Sequence, residues 1–232
     1  MAKLLRKKDR VKHKRIIQTL TAPIEKRILL WLAARTPRKI TPDILTIIGF
    51  SAAILISASY VLSRIYPVFL WVACAGFIIN WYGDSMDGTL ARYRKIERPR
   101  YGYFLDHSID AICITIIMTG LGFSGYVQME LALAAVIGYL MLTLYTTLVN
   151  FTSNEFQISY AYLGPTEIRI LVIMASIGIF YNGSRLIRLP FGNYTILEGL
   201  VIILTILFYG AFLYSTTVQI NRLAKAEPPP EY

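Results

Sequence analysis

Residues 83–111 read GDSMDGTLARYRKIERPRYGYFLDHSIDA, and this stretch decides how the rest of the chain is to be understood. It holds four aspartates, Asp84, Asp87, Asp106 and Asp110. The first two are three residues apart and the last two are four apart. On a helix each pair projects from one face, with about 5–6 Å between Cβ atoms. The segment between the pairs reverses the chain, so the two faces can meet. Four carboxylates converging on one spot repel one another unless cations lie between them. In a membrane each Asp near the bilayer centre also costs about 2.5–3.5 kcal/mol on insertion scales, and less near the interface. A hard divalent cation with oxygen ligands offsets both terms and needs no Cys or His. On a metal reading the natural occupant is Mg²⁺ (or Mn²⁺), as one ion or a pair, with Asp84, Asp87, Asp106 and Asp110 as candidate ligands.

Small residues flank the acids. Positions 84, 87, 88 and 91 fall on one helical stripe, which sets Gly88 and Ala91 beside the aspartates. Gly102 stands four residues before Asp106. Room next to metal ligands suits the docking of something flat or bulky. Arg92 follows Ala91 at once and is placed to reach a phosphate.

Outward from this stretch the chain is apolar. Of its 232 residues 55% are hydrophobic and only 16% are charged, and the mean hydropathy is +0.51. Long apolar runs separated by short polar breaks predict an all-α integral membrane bundle. Six transmembrane helices are expected, at residues 44–62, 66–82, 104–122, 131–149, 168–181 and 197–217. The second and third carry the aspartates at or near their ends, and the tight break at 63–65 makes the first two antiparallel neighbours. Before them, Ile17, Leu20, Ile24, Ile28 and Trp31 recur at three- and four-residue steps among Glu25, Lys26 and Arg27. That pattern predicts an amphipathic helix lying in the membrane interface. The expected organisation is a basic arm and interfacial helix over 1–40, a six-helix catalytic domain over 41–222 and a disordered tail over 223–232.

Charge orients this arrangement. Thirteen of the 24 Lys and Arg residues lie in the first 39 positions, and residues 92–100 add five. With Arg222 and Lys225 they fall on one side of a six-span chain, while Arg64, Arg185 and Arg188 fall on the other. The excess marks the first side as cytoplasmic, and with it the aspartate cluster. A basic arm also suits nucleic acid, but in a membrane chain it is read as a partner for anionic headgroups, and no nucleic-acid partner is expected. Cys74 and Cys113 sit inside apolar runs and indicate neither a disulfide framework nor a zinc site. The N-terminus lacks the pattern of a cleaved signal peptide, so insertion is expected to rely on the first span.

Spacing by itself leaves three readings open. The acids can serve metal-dependent phosphate chemistry, or the ion-coupling site of a membrane transporter. They can also be solvated charges at helix ends, with Gly and Ala only permitting close packing.

The order of fixed residues narrows the choice. Asp84, two residues, Asp87-Gly88, two residues, Ala91-Arg92, a nine-residue spacer, Gly102, three residues, Asp106, three residues and Asp110 resembles the motif of the CDP-alcohol phosphotransferases. The spacer is one residue longer than the commonest form. The segment Thr41-Pro42-Asp43-Ile44-Leu45-Thr46 is similar to the family's Thr-Pro-Asn-x-Leu-Thr before its first span, with Asp43 in place of Asn.

The resemblance implies six spans, an interfacial N-terminal helix and a homodimer. It implies a phospholipid-biosynthetic transfer of a phosphoalcohol group from a CDP-alcohol donor to a lipid or polar alcohol acceptor, with release of CMP. Asp84, Asp87 and Asp106 would hold the metal that grips the donor diphosphate. Asp110 would complete the metal site or take the acceptor's proton. Asp84 and Asp87, with Gly88, Ala91, Arg92 and Gly102, would shape the CDP pocket. With no nucleophilic Ser, Cys or His standing out, direct displacement is expected rather than a phospho-enzyme.

Two features bear on the substrate. His107 follows Asp106, and Gly164-Pro165-Thr166-Glu167-Ile168-Arg169 opens the fifth span. Both resemble the choline and ethanolamine phosphotransferase branch, which would make His107 and Glu167 candidates for proton transfer. The alternative is a CDP-diacylglycerol donor and a small polar alcohol or its phosphate. A phosphorylated acceptor would need further cations, which residues 94–100 and Arg169 could supply. Phe151, Phe156, Tyr160 and Tyr162 would flank a lipid path or stack on a choline headgroup.

Overall fold

A computed structural model describes residues 21–153, 164–183, 187–189 and 192–228. The described chain is helical apart from one small hairpin. Its elements are α1 (Ala22–Arg35), α2 (Pro42–Ser63), α3 (Phe69–Arg94), α4 (Pro99–Ser124), α5 (Met129–Ser153), α6 (Pro165–Asn182), β1 (Ile187–Leu189), β2 (Gly192–Tyr194) and α7 (Ile196–Ala226). The two strands pair antiparallel, Ile187 opposite Tyr194, a feature the all-α expectation did not include.

Local chemistry sets the helix limits. Thr41 caps α2, its hydroxyl accepting from Ile44 N at 3.3 Å, and Pro42 occupies the first turn, where no N–H is missed. Helix α3 stops at Lys95, which adopts the left-handed conformation with φ 57°. Gly125 ends α4 in the same way with φ 78°. Thr195 caps α7 and accepts from Glu198 N at 3.0 Å.

Helices α2, α4, α5 and α7 are long and apolar enough to cross a membrane. Helices α3 and α6 stand where two further spans were expected but are not among these. Asp84, Asp87, Arg92 and Arg94 lower the apolarity of α3, and α6 is short with Glu167 and Arg169 in its first turns. Large apolar side chains such as Ile47, Ile78, Ile137, Ile203 and Ile206 are exposed around the bundle, as lipid-facing positions would be.

Helix α2 packs against both α3 and α4, α5 packs against α7 and α4, and α6 packs against α3. The α2–α3 crossing is tight. A Cβ added at Gly83 would lie 2.5 Å from Gly49 N and 2.6 Å from Leu45 O, so only glycine admits this approach. The main core joins Ile56 and Tyr60 of α2, Leu70 and Phe77 of α3, Ile117 of α4 and Leu197 of α7. Inside it the Tyr60 hydroxyl and Ser176 Oγ are hydrogen-bonded at 2.8 Å, so that neither buried hydroxyl is left unpaired.

Helix α1 divides its apolar residues between two faces. Leu29 and Ala33 are buried against Leu45, Met86 and Leu90. Ile24 and Trp31, assigned to the apolar stripe together with Ile28, are 65% and 55% exposed. The stripe thus faces away from the bundle, and a different pair of residues makes the packing contact. Ile17 and Leu20 lie outside the described residues. At the other end α7 continues to Ala226, so the start of the expected tail is helical.

Candidate active site

The motif folds as two helices. Helix α3 runs through Asp84 and Asp87, and α4 runs through Asp106 and Asp110. One carboxylate oxygen each from Asp84, Asp106 and Asp110 can be chosen so that all three lie within 4.8 Å of one another, at partly buried positions. Asp87 is not in that triad but lines the same cleft, with Thr46, Gly49, Phe50, Asn80, Ile109 and Cys113.

Neighbouring helices orient these acids. Thr46 of α2 donates to Asp87 Oδ2 at 2.6 Å, and the Gly88 N–H donates to Asp87 Oδ1. The Gly49–Gly83 contact brings α2 close enough for the Thr46 bond. Arg169 of α6 donates from Nη2 to Asp84 Oδ2 at 2.6 Å and from Nε to Asn80 Oδ1 at 3.1 Å. Asn80 in turn donates to the Gly49 carbonyl at 2.9 Å. Each of Asp84 and Asp87 therefore has a fixed partner on another helix.

The remaining candidates divide. Gly88 and Arg92 sit together, since a Cβ on Gly88 would lie 3.2 Å from Arg92 Nη1. Arg92 also donates to Thr89 Oγ1 at 3.3 Å. Ala91 is partly buried on the same helix, and Gly102 borders open space on α4. His107 does not line the cleft. Its Nδ1 lies 3.0 Å from the Tyr103 carbonyl and 3.6 Å from Asp106 Oδ2, and its ring packs on Tyr103 with centroids 4.1 Å apart. Glu167 is absent from the cleft lining as well. It accepts from Thr21 N at 3.0 Å, Thr21 Oγ1 at 2.8 Å and Gly164 N at 2.9 Å, which caps α6 and ties it to the start of α1.

The basic run is engaged nearby. Arg94 donates to the carbonyls of Thr36, Pro37 and Ile40, closing the α1–α2 connection over the end of α3. Arg98 reaches both oxygens of Asp43. Phe151 is exposed on α5, and Phe156, Tyr160 and Tyr162 lie outside the described residues.

Sequence reasoning did not assign roles to Thr46, Asn80 or the Gly49–Gly83 contact. Asn80 left a trace, as a polar residue in an apolar run one turn before Asp84. Glu25 was read only as a polar-face charge. It accepts from Trp81 Nε1 at 2.7 Å, Ser85 Oγ at 3.2 Å and Thr166 Oγ1 at 3.0 Å, joining α1 to α3 and α6.

The donors at the centre are carboxylate oxygens with no nitrogen or sulfur ligand among them, the chemistry that hard divalent cations take. Three such oxygens within 4.8 Å fit a cation at their centre, and the Arg169 contact to Asp84 shows that the cluster already draws positive charge.

Comparison with known proteins identifies the family. Residues 39–213 match the CDP-alcohol phosphatidyltransferase family, and the chain belongs to it. With four apolar helices of spanning length, it is a multi-pass membrane protein. Among relatives, it is 32% identical over 104 residues to an archaetidylinositol phosphate synthase of Pyrococcus horikoshii, covering 45% of this chain and 52% of that protein. It is 34% identical over 94 residues to an archaetidylinositol phosphate synthase of Methanothermobacter thermautotrophicus, covering 39% of this chain and 45% of that protein. The chain spans about half the length of the curated relatives it matches. These relatives do not place it in the choline and ethanolamine branch.

Proposed function

We propose that this protein transfers a phosphoalcohol group from a CDP-alcohol to an acceptor hydroxyl, releasing CMP, at the cleft between α2, α3 and α4. The observation that carries the reading is the convergence of Asp84, Asp106 and Asp110, with Asp87 beside them, in a chain of this family. Mg²⁺ or Mn²⁺ held there would neutralise the donor diphosphate and stabilise CMP as leaving group.

The chain's own groups have the following roles. Asp84, Asp87 and Asp106 bind the cation. Thr46 fixes the orientation of Asp87 through its hydrogen bond. Asp110 helps hold the cation or takes the proton as the acceptor oxygen bonds to phosphorus and the bond to CMP breaks. Gly88, Ala91, Arg92 and Gly102 border the nucleotide. No covalent enzyme intermediate forms.

For the substrates we favour a CDP-activated lipid donor and a phosphorylated polyol acceptor of the inositol phosphate class. The names of the two archaeal relatives support this choice, as does a guanidinium, Arg169, in contact with Asp84. The choline branch has less support, because the two residues that suggested it, His107 and Glu167, are engaged outside the cleft. The membrane reading includes α3 and α6 as spans, six in all, and α1 in the interface with Ile24 and Trp31 towards lipid. It also sets the cleft on the cytoplasmic side and the protein as a homodimer.

A panel of donor–acceptor pairs with CMP release as readout tests the proposal. The lipid donor with inositol phosphate is expected to release CMP most rapidly. CMP release from CDP-choline and diacylglycerol alone would reverse the substrate assignment and leave the family intact.

A further inference from the structure

Arg169 is bound at both ends of its guanidinium. Nη2 donates to Asp84 at 2.6 Å, and Nε donates to Asn80 at 3.1 Å. Asn80 is itself held, since its amide donates to the Gly49 carbonyl and its side chain is buried. The Asp84 and Arg169 side chains are only 25% and 17% exposed, so water screens the pair incompletely. Asp84 supplies one of the three oxygens that lie within 4.8 Å of one another. A guanidinium and a divalent cation therefore compete for the same carboxylate, and the cation also meets the repulsion of the nearby positive charge.

We propose that Arg169 is a built-in counter-cation of the acid cluster, which a divalent cation must outcompete at Asp84 to load the site. Arg169 thereby sets the cation affinity. The inference rests on the reading of the cluster as a metal site. Asn80 gives it a structural basis, because the bond to Nε keeps the guanidinium at the cleft when Nη2 leaves Asp84. The opposite role is equally well defined. A residue that only orients Asp84 as a ligand would strengthen cation binding, and its loss typically costs about 10–100-fold in affinity. The sign of the effect separates the two.

The test is Mn²⁺ binding to the purified full chain in detergent, read from the electron paramagnetic resonance signal of free Mn²⁺, with no substrate present. Arg169→Gln removes the charge and is expected to tighten Mn²⁺ binding about fivefold or more. Arg169→Lys keeps the charge but loses the Asn80 tether, and its affinity is expected between those of Gln and the native residue. If Arg169→Gln does not fold, tighter binding by Arg169→Lys than by the native protein carries the test. Unchanged or weaker binding in a folded variant overturns the inference while leaving the metal site standing. Binding by Arg169→Gln but not by the native protein supports the inference in its strongest form. If neither protein binds Mn²⁺, the metal reading and the inference fall together.

Discussion

Thr46 Oγ1 of α2 donates to Asp87 Oδ2 of α3 at 2.6 Å. The bond spans two helices whose backbones touch at Gly49 and Gly83. It fixes one oxygen of Asp87, so that the carboxylate is presented in one orientation to whatever occupies the cleft. Thr46→Val keeps the shape and removes the donor. We expect a loss of about 10–100-fold in CMP release, as for other partners of ligating groups, with the melting temperature in detergent nearly unchanged. Full activity in the Val variant would show that Asp87 needs no such support.

The helix crossing beneath that bond admits no side chain. Gly83→Ala would place a Cβ 2.5 Å from Gly49 N, where backbone and not a flexible side chain must give way. Overpacking of this kind costs about 1–3 kcal/mol. A lowered melting temperature is expected in Gly83→Ala, together with lost activity as α2 is pushed from α3. Gly102→Ala is the control, since a Cβ there meets nothing within 4 Å. Its stability is expected to match that of the native protein.

His107 and Glu167 are expected to separate from the aspartates in their effects. His107→Ala removes a ring that packs on Tyr103 outside the cleft, and most of the activity should remain. Glu167→Gln weakens the charge-assisted bonds from Thr21 and Gly164 that anchor α6 and α1. A loss of stability of about 1 kcal/mol is expected, read as a fall in melting temperature. If either substitution abolishes turnover in a stable protein, proton transfer must be reassigned to that residue.

Much of the site was legible because it is local. Asp84 with Asp87 and Asp106 with Asp110 are set by helical spacing, and the short α3–α4 connection makes their meeting a near-neighbour event. The α2–α3 pairing followed from the tight break at 63–65 for the same reason. Arg169 was visible as a spare cation, but its partner was not, because Asp84 lies 85 positions away on a helix not adjacent in sequence. Glu167 and Arg169 stand two positions apart in sequence, yet their partners are remote. The fold turns Glu167 to Thr21 and Arg169 to Asp84. For α1, periodicity found the helix but not which face packs: a stripe of apolar residues can face lipid as readily as a core, and Leu29 with Ala33 took the inner side. The hairpin of β1 and β2 carried no alternation long enough to be read.

Topology provides an independent check on the six-span proposal. Single cysteines at Arg98 and in the N-terminal arm are expected to react with an impermeant thiol reagent from the cytoplasmic side, and one at Arg64 from the other. Labelling of positions 98 and 64 from the same side would contradict α3 as a span.

The most direct measurement is CMP release by the purified protein as divalent cation is titrated, for the native chain and for Asp84→Asn, Asp87→Asn, Asp106→Asn and Asp110→Asn. Release is expected only when donor, acceptor and Mg²⁺ or Mn²⁺ are all present, to stop on addition of EDTA, and to be lost in each folded Asn variant. CMP release that continues without divalent cation, or that survives in these variants at the native rate, would contradict the assignment of the carboxylate cluster.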